Sequence, residues 1–299
     1  NSMIVSDVKK VFSYSLYTPR VLPQHREWDK WKNDKDRYWF NILSLVLTNK
    51  ILFPNHCMIF HLSKCIYKNN LSDVFNILKE NLDNIEVRTI DIDYSFTEPS
   101  IWRMMPLWSF DVDFLHTRDL DSFPSLNEIK YVQYFEKSNF LVGTIRSQKN
   151  HWGHACRMLA GLSSFNTNIP SFIKGYDFQQ YYSKRHNRYG CDQDLVADVF
   201  TSDMAFTKKY FLDFKTDQQN NDNSFLCNSY NSSEDVIILT DEQEEVLYNI
   251  EKHCSSSWLG QPIDSRGEYT KFILSKFKNI EKAVLSIPKI KNFYLEKIR

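Results

Sequence analysis

Several common features are missing from this sequence, and each absence removes a class of explanation. Net charge is one: 37 Lys+Arg balance 37 Asp+Glu over 299 residues. No overall field draws in nucleic acid, and any electrostatic argument has to be local. Paired cysteines are another. Cys57, Cys65, Cys156, Cys191, Cys227 and Cys254 form no CxxC unit and no Cys/His spacing of a zinc site, and a chain this long does not depend on disulfide staples. Free thiols in a reducing compartment are the expectation. No apolar run reaches the roughly 20 residues of a membrane span. The most apolar stretch, Tyr38 to Pro54, is interrupted by Asn41, Ser44, Asn49 and Lys50 and reads as a soluble, buried helix. Asn1-Ser2-Met3 reads as a scar ahead of a native start, with no charged-then-apolar leader behind it, so a cytoplasmic protein is expected. The formal sequons at Asn70 and Asn231 then carry little meaning. Internal repeats are absent as well.

Hydrophobic content of 42% supplies a full core, enough for one large α/β unit. Apolar and β-branched runs predict strands over Val11–Tyr17, Cys57–Leu62, Ile85–Asp91, Val112–Thr117 and Phe140–Arg146. Helical spacing alternates with them over Tyr38–Leu52, Leu71–Leu82 (capped by Asn69 or Asn70), Ser100–Ser109 and Ser125–Lys137. This βαβα order predicts a mostly parallel sheet with helices on both faces. Lys215 to Asp235 is polar and reads as a loop or insertion. From Lys271 to Arg299, eight Lys/Arg stand against Glu281 and Glu296. We therefore expect a main domain over 1–270 and a basic helical tail over 271–299, either an ordinary charged helix face or a patch touching anionic lipid.

Chemistry concentrates after the fourth strand. Open α/β sheets bind ligands beyond the carboxyl ends of their strands, and Asp119-Leu120-Asp121 lies there. A nucleoside diphosphate needs a hard cation, and Mn²⁺ or Mg²⁺ takes oxygen ligands from one or two carboxylates plus the phosphates. One aspartate would reach the metal and the other a metal-bound water or the ribose hydroxyls. Arg118 adds a fork suited to phosphate or carboxylate. The bland alternative is a solvated acidic turn.

Three other clusters qualify. His151 and His154 open an apolar run with small residues reaching Gly161 and Leu162, spaced like a helix. They could line a ligand, cap a helix or hold zinc, though further zinc ligands are not visible at a known spacing. Asp192 and Asp194 fall in the first turn of a predicted helix, where the dipole favours carboxylates; either could serve as a catalytic base, or simply cap. His253 precedes a Trp-Leu-Gly-x-Pro turn.

The run Ser100 to Ser122, with its Arg-bearing helix, buried strand and Arg-Asp-x-Asp-Ser turn, resembles GT-A glycosyltransferases of bacterial and large-virus type. Arg103 and Asp119 to Ser122 carry the match, and the resemblance spans roughly residues 85 to 200. It implies a Rossmann-like GT-A fold and transfer of a sugar from a UDP- or GDP-sugar to a glycan hydroxyl. It also implies donor binding by Arg103, Arg118, Asp119, Asp121 and Ser122, with the metal held by Asp119, Asp121 and a late histidine, His253. The run at Asp192-Gln193 is similar to the family's Asp-Gln-x-Leu segment beside the acceptor, which puts Gln193, with His151 and His154, against the sugar. Rival readings are a nucleotidyltransferase, a non-catalytic glycan- or protein-binding module and a metal nuclease. The first would want a Gly-rich phosphate loop near the first strand, and Tyr17-Thr-Pro-Arg20 offers one Arg and no glycine. A nuclease would want a basic track for the phosphate backbone.

Overall fold

The computed structural model describes residues 8–16, 35–64, 71–90, 99–109, 112–146, 159–169, 191–201, 204–215, 229–231, 237–253 and 266–296. The strands are β1 Lys10–Leu16, β2 Cys57–Ser63, β3 Ile85–Ile90, β4 Phe114–Arg118, β5 Val142–Arg146, β6 Leu162–Asn166, β7 Phe211–Lys215 and β8 Ser229–Asn231. They form one eight-stranded sheet in the order β3-β2-β1-β4-β6-β5-β7-β8. Neighbours pair in parallel except at β6, which runs antiparallel to both β4 and β5. The expected α/β architecture, a mostly parallel sheet flanked by helices, is what this chain forms.

Period-two alternation explains the layering. In β1, Phe12, Tyr14 and Leu16 enter one apolar cluster and Val11 the other. The first cluster takes in α1 Lys35–Leu52, α2 Ser72–Asn81 and α4 Leu126–Lys137. It also takes in the late helices α7 Asp241–His253, α8 Arg266–Ser275, α9 Lys278–Ser286 and α10 Pro288–Lys291. The second cluster lies under a 3-10 helix Pro99–Met104, α3 Pro106–Ser109, α5 Cys191–Thr201 and α6 Met204–Tyr210. Helices thus cover both faces.

Four local expectations change. The helix expected over Ser100–Ser109 is a 3-10 turn followed by one α-turn, because Pro106 has no amide to donate and disfavours helical backbone at Met105; Met105 N instead donates to Trp102 O at 3.0 Å. The N-cap of α2 is Leu71, with no side-chain cap bond, and the expected caps Asn69 and Asn70 lie outside the described residues. The run ending at Leu162, read with helical spacing, finishes in strand β6. Within the stretch read as a loop from Lys215 to Asp235, Ser229–Asn231 forms β8 against β7.

The boundary drawn between residues 270 and 271 falls inside α8, whose Ile273 and Leu274 are buried with Ile280, Val284, Ile290 and Tyr294 in the first cluster. The apolar side of this basic segment is therefore turned onto the protein's own core. Among the described residues no helix is long and apolar enough to cross a membrane.

Candidate functional site

β1 pairs with β2 on one side and β4 on the other, both parallel. The chain leaves β1 toward β2 and β3, then returns across the sheet to β4. The switch point, and hence the crevice, lies beyond the carboxyl ends of β1 and β4. Asp119 is the first residue after β4. The 3-10 helix Pro99–Met104 sits over the end of β1, since Ser15 Oγ accepts from Arg103 N at 2.8 Å.

Arg103 is the centre of this edge. Its Nη1 donates to the Asp119 carboxylate and, at 3.1 Å, to Arg118 O. Its Nη2 donates to Asp192 Oδ2 at 2.6 Å. Asp192 stands at the start of α5, where its Oδ1 also accepts from Gln193 N at 3.0 Å. The guanidinium and Asp192 are buried, whereas the Asp119 side chain is 49% exposed. Of the residues expected at the site, Arg103, Asp119 and Asp192 are thus brought together from separate parts of the sequence, and Gln193 contributes its backbone N. Asp194 is half-buried on the same first turn.

The turn after β4 is closed by Ser122 N donating to Asp119 O at 3.4 Å, and it buries Asp121 while leaving Ser122 half-exposed. Gly161 faces it: β4 and β6 pair Arg118 with Leu162, and a Cβ on Gly161 would overlap the Asp119 carboxylate. A side chain at this position would push that acid aside. An oxygen-rich edge with one half-exposed carboxylate has the donor chemistry of a hard divalent cation. Asp119 could hold Mn²⁺ or Mg²⁺.

Arg118 stands apart from this cluster. It is the last residue of β4 and its side chain points back into the protein, where Nε donates to Glu128 and Nη1 to Thr117 O at 2.8 Å and Ser163 O at 3.0 Å. The guanidinium lies 5.4 Å from the Phe12 ring centroid. Placed there it braces the core instead of reaching a phosphate. His253, at the end of α7, is buried 6.2 Å from the Tyr269 ring, with Nδ1 3.9 Å from Glu268. His151 and His154 lie outside the described residues.

One polar group has no counterpart in the sequence reading. His56, just before β2, and His116, inside β4, both contact Glu136 Oε1, at 2.6 and 3.0 Å through their Nε2 atoms. Lys10 Nζ donates to Glu136 Oε2 at 2.6 Å, and His116 Nδ1 lies 2.7 Å from Ser164 Oγ. Among the described residues this is the group of three metal-type side chains whose donor atoms the fold gathers, within 4.8 Å of one another. Glu128 was also missed. Ser125-x-x-Glu128 is a capping-box spelling, and Glu128 N does donate to Ser125 Oγ at 3.2 Å, but the carboxylate serves Arg118.

Burial pushes the His116 imidazole down to about 4, outweighing its Glu136 bond, which favours the cation. Burial alone would raise the Glu136 carboxyl, but hydrogen bonds from His116 and His56 hold it below the usual carboxylate range. Both groups take up protons more readily when unfolded. The contribution of His116 is complete above its unfolded value of 6.5 and disappears as pH falls toward 4, and that of Glu136 follows at lower pH. The metal-free protein is expected to lose about 3 kcal/mol across the His116 window. Urea midpoints measured between pH 7 and 4 with a chelator present should fall, and His116→Gln should flatten the slope; an unchanged slope would place the titration elsewhere.

No family model matches this chain, and no curated protein matches it. Solved structures similar to it include two nucleotide-related enzymes by their descriptions. One is described as a "Putative Glucose-1-Phosphate Thymidylyltransferase from Bacillus anthracis", in complex with a sucrose; identity is 10% and the TM-score 0.40, over 70% of this chain and 86% of that one. The other is described as 4-diphosphocytidyl-2C-methyl-D-erythritolsynthase from Anaerococcus prevotii DSM 20548; identity is 10% and the TM-score 0.42, over 82% and 96%. Neither description names a glycosyltransferase, and likeness at this level carries no functional inference.

Proposed function

We propose that this chain is a metal-dependent transferase that binds a nucleoside-diphosphate sugar in the crevice beyond β1 and β4 and passes the sugar to a hydroxyl of a glycan. The observation that carries the reading is Arg103 bridging Asp119 and Asp192 at the switch point of the sheet. A cation placed on Asp119, supported by Asp121, would neutralise the diphosphate and supply Lewis-acid stabilisation of the leaving group. It would also release Arg103 from one of its two carboxylates, freeing a fork suited to phosphate oxygens. Asp192 or Asp194 is then the candidate base for the acceptor hydroxyl, with Gln193, His151 and His154 as lining residues. This ligand set needs only aspartate, phosphate and water oxygens, so His253 is a supplementary ligand at most.

Nucleotidyl transfer, the activity in the first structure's description, is the second reading. It would use the same acidic edge with a nucleoside triphosphate and a sugar phosphate. The sequence holds no glycine before Gly143, so a Gly-rich loop after β1 is not available to cradle a triphosphate.

Thermal shift with UDP-, GDP-, CMP- and dTDP-sugars, with and without Mn²⁺, tests the binding, because a ligand selective for the native state raises the melting temperature by mass action. A metal-dependent rise with one nucleotide is the expected result. Release of nucleoside diphosphate then identifies glycosyl transfer, and release of pyrophosphate from a triphosphate identifies nucleotidyl transfer. No rise with any ligand would leave the non-catalytic binding module.

A further inference from the structure

We propose that His56, His116 and Glu136 form a second divalent-metal site, distinct from the Asp119 crevice, that takes zinc or another borderline transition ion. His116 lies three residues before Asp119, roughly 10 Å down the same strand. Arg118 and the Phe12 ring stand between, the ring 5.2 Å from His116 and 5.1 Å from His56.

The donor set is the two-His, one-carboxylate type that binds zinc and leaves one position open. A tetrahedral centre with bonds of 2.0–2.1 Å spaces its ligand atoms about 3.3 Å apart. The two His–Glu separations, 2.6 and 3.0 Å, need to open by well under 1 Å. The supports are rigid and independent. His116 is on a central strand, Glu136 is in the last turn of α4, and the backbone of His56 is pinned by Asn84 Nδ2 donating to its carbonyl at 2.9 Å. Nε2 of His116 can face a metal only if Nδ1 carries the proton, and Ser164 Oγ stands 2.7 Å from that Nδ1, ready to accept it. A partner of this kind orients a metal-bound histidine. His56 keeps 8% exposure, the most solvent access of the two histidines.

Lys10 is the competitor. It already neutralises Glu136 from the other oxygen, and its side chain is 30% exposed, so it can turn to solvent when a cation arrives. The purely structural alternative, a buried polar network completed by Lys10, makes the opposite prediction for that residue.

The test is titration of the chelator-treated full chain with Co²⁺, read by the visible absorption of the tetrahedral ion, followed by displacement with Zn²⁺. One equivalent per chain is expected, retained in Asp119→Asn, which separates this site from the crevice. Affinity should fall tenfold or more in His56→Gln and in Glu136→Gln, and rise several-fold in Lys10→Ala. His56→Gln, at the rim, is the variant most certain to fold, and its circular dichroism would be checked. Absence of a stoichiometric Co²⁺ spectrum, or a spectrum that survives both His56→Gln and Glu136→Gln, overturns the proposal. Loss of the Co²⁺ spectrum in Lys10→Ala does the same.

Discussion

Asp119→Asn is expected to remove the Mn²⁺-dependent stabilisation by a nucleotide-sugar while leaving the ligand-free melting temperature nearly unchanged. The side chain is half exposed and its one described partner, Arg103, keeps Asp192, so the fold loses little. An amide, in contrast, lacks the charge a carboxylate brings to Mn²⁺ or Mg²⁺, and losing one charge-stabilising group of this kind costs about 10²–10³-fold in turnover. Gly161→Ala should imitate the effect without touching an acid, because the new methyl occupies the space of the Asp119 carboxylate. The two variants together separate position from charge. If Asp119→Asn still gives a full metal-dependent shift, the metal is held elsewhere and the crevice loses its assigned role.

The second large effect concerns stability. Arg118 and Glu128 are 4% exposed at the side chain and hydrogen-bond one another inside the first apolar cluster. Removing one partner strands a buried charge, at a cost of about 3–5 kcal/mol. Glu128→Gln or Arg118→Met should therefore lower the urea midpoint by that equivalent at constant m-value. Replacing both with apolar residues should recover most of the loss, since a well-packed apolar pair often equals a buried ion pair. A loss below about 1 kcal/mol in the single variants would mean the pair is solvated, as exposed bridges are.

These two predictions also mark what the sequence could and could not reveal. The place of Asp119 and Asp121, in the turn just past β4, was legible because a strongly apolar strand precedes them. The place of Asp192 in the first turn of a helix was legible from its apolar spacing downstream. The direction of Arg118 was not legible: as the last residue of β4 its side chain turns inward to Glu128, while Asp119, one residue on in the turn, meets Arg103. The His56, His116 and Glu136 group was illegible because its members come from a loop, a strand and a helix with no shared spacing. Strands β1 to β5 were readable from aromatic and β-branched runs. Strand β6 was hidden because Ser163 and Ser164 are polar yet fully buried. Their hydroxyls reach Leu159 O and the His116 ring, a compensation invisible to hydropathy. The 3-10 turn was hidden because periodicity alone does not show that Pro106 splits the run Ser100–Ser109.

The two ends of the described chain pack against each other. Helices α7 and α8 lie on α1, and α9 lies on α2, so residues 35–52 and 72–81 share their core with the helices between 241 and 286. Domains emerge from the ribosome N-terminus first, and here the early β-α units keep their apolar flanks uncovered until residues 241–286 have been made. Over the roughly 150 residues in between, the nascent chain is an incomplete sandwich, and its yield in a cell should depend on chaperone supply more steeply than its equilibrium stability would suggest.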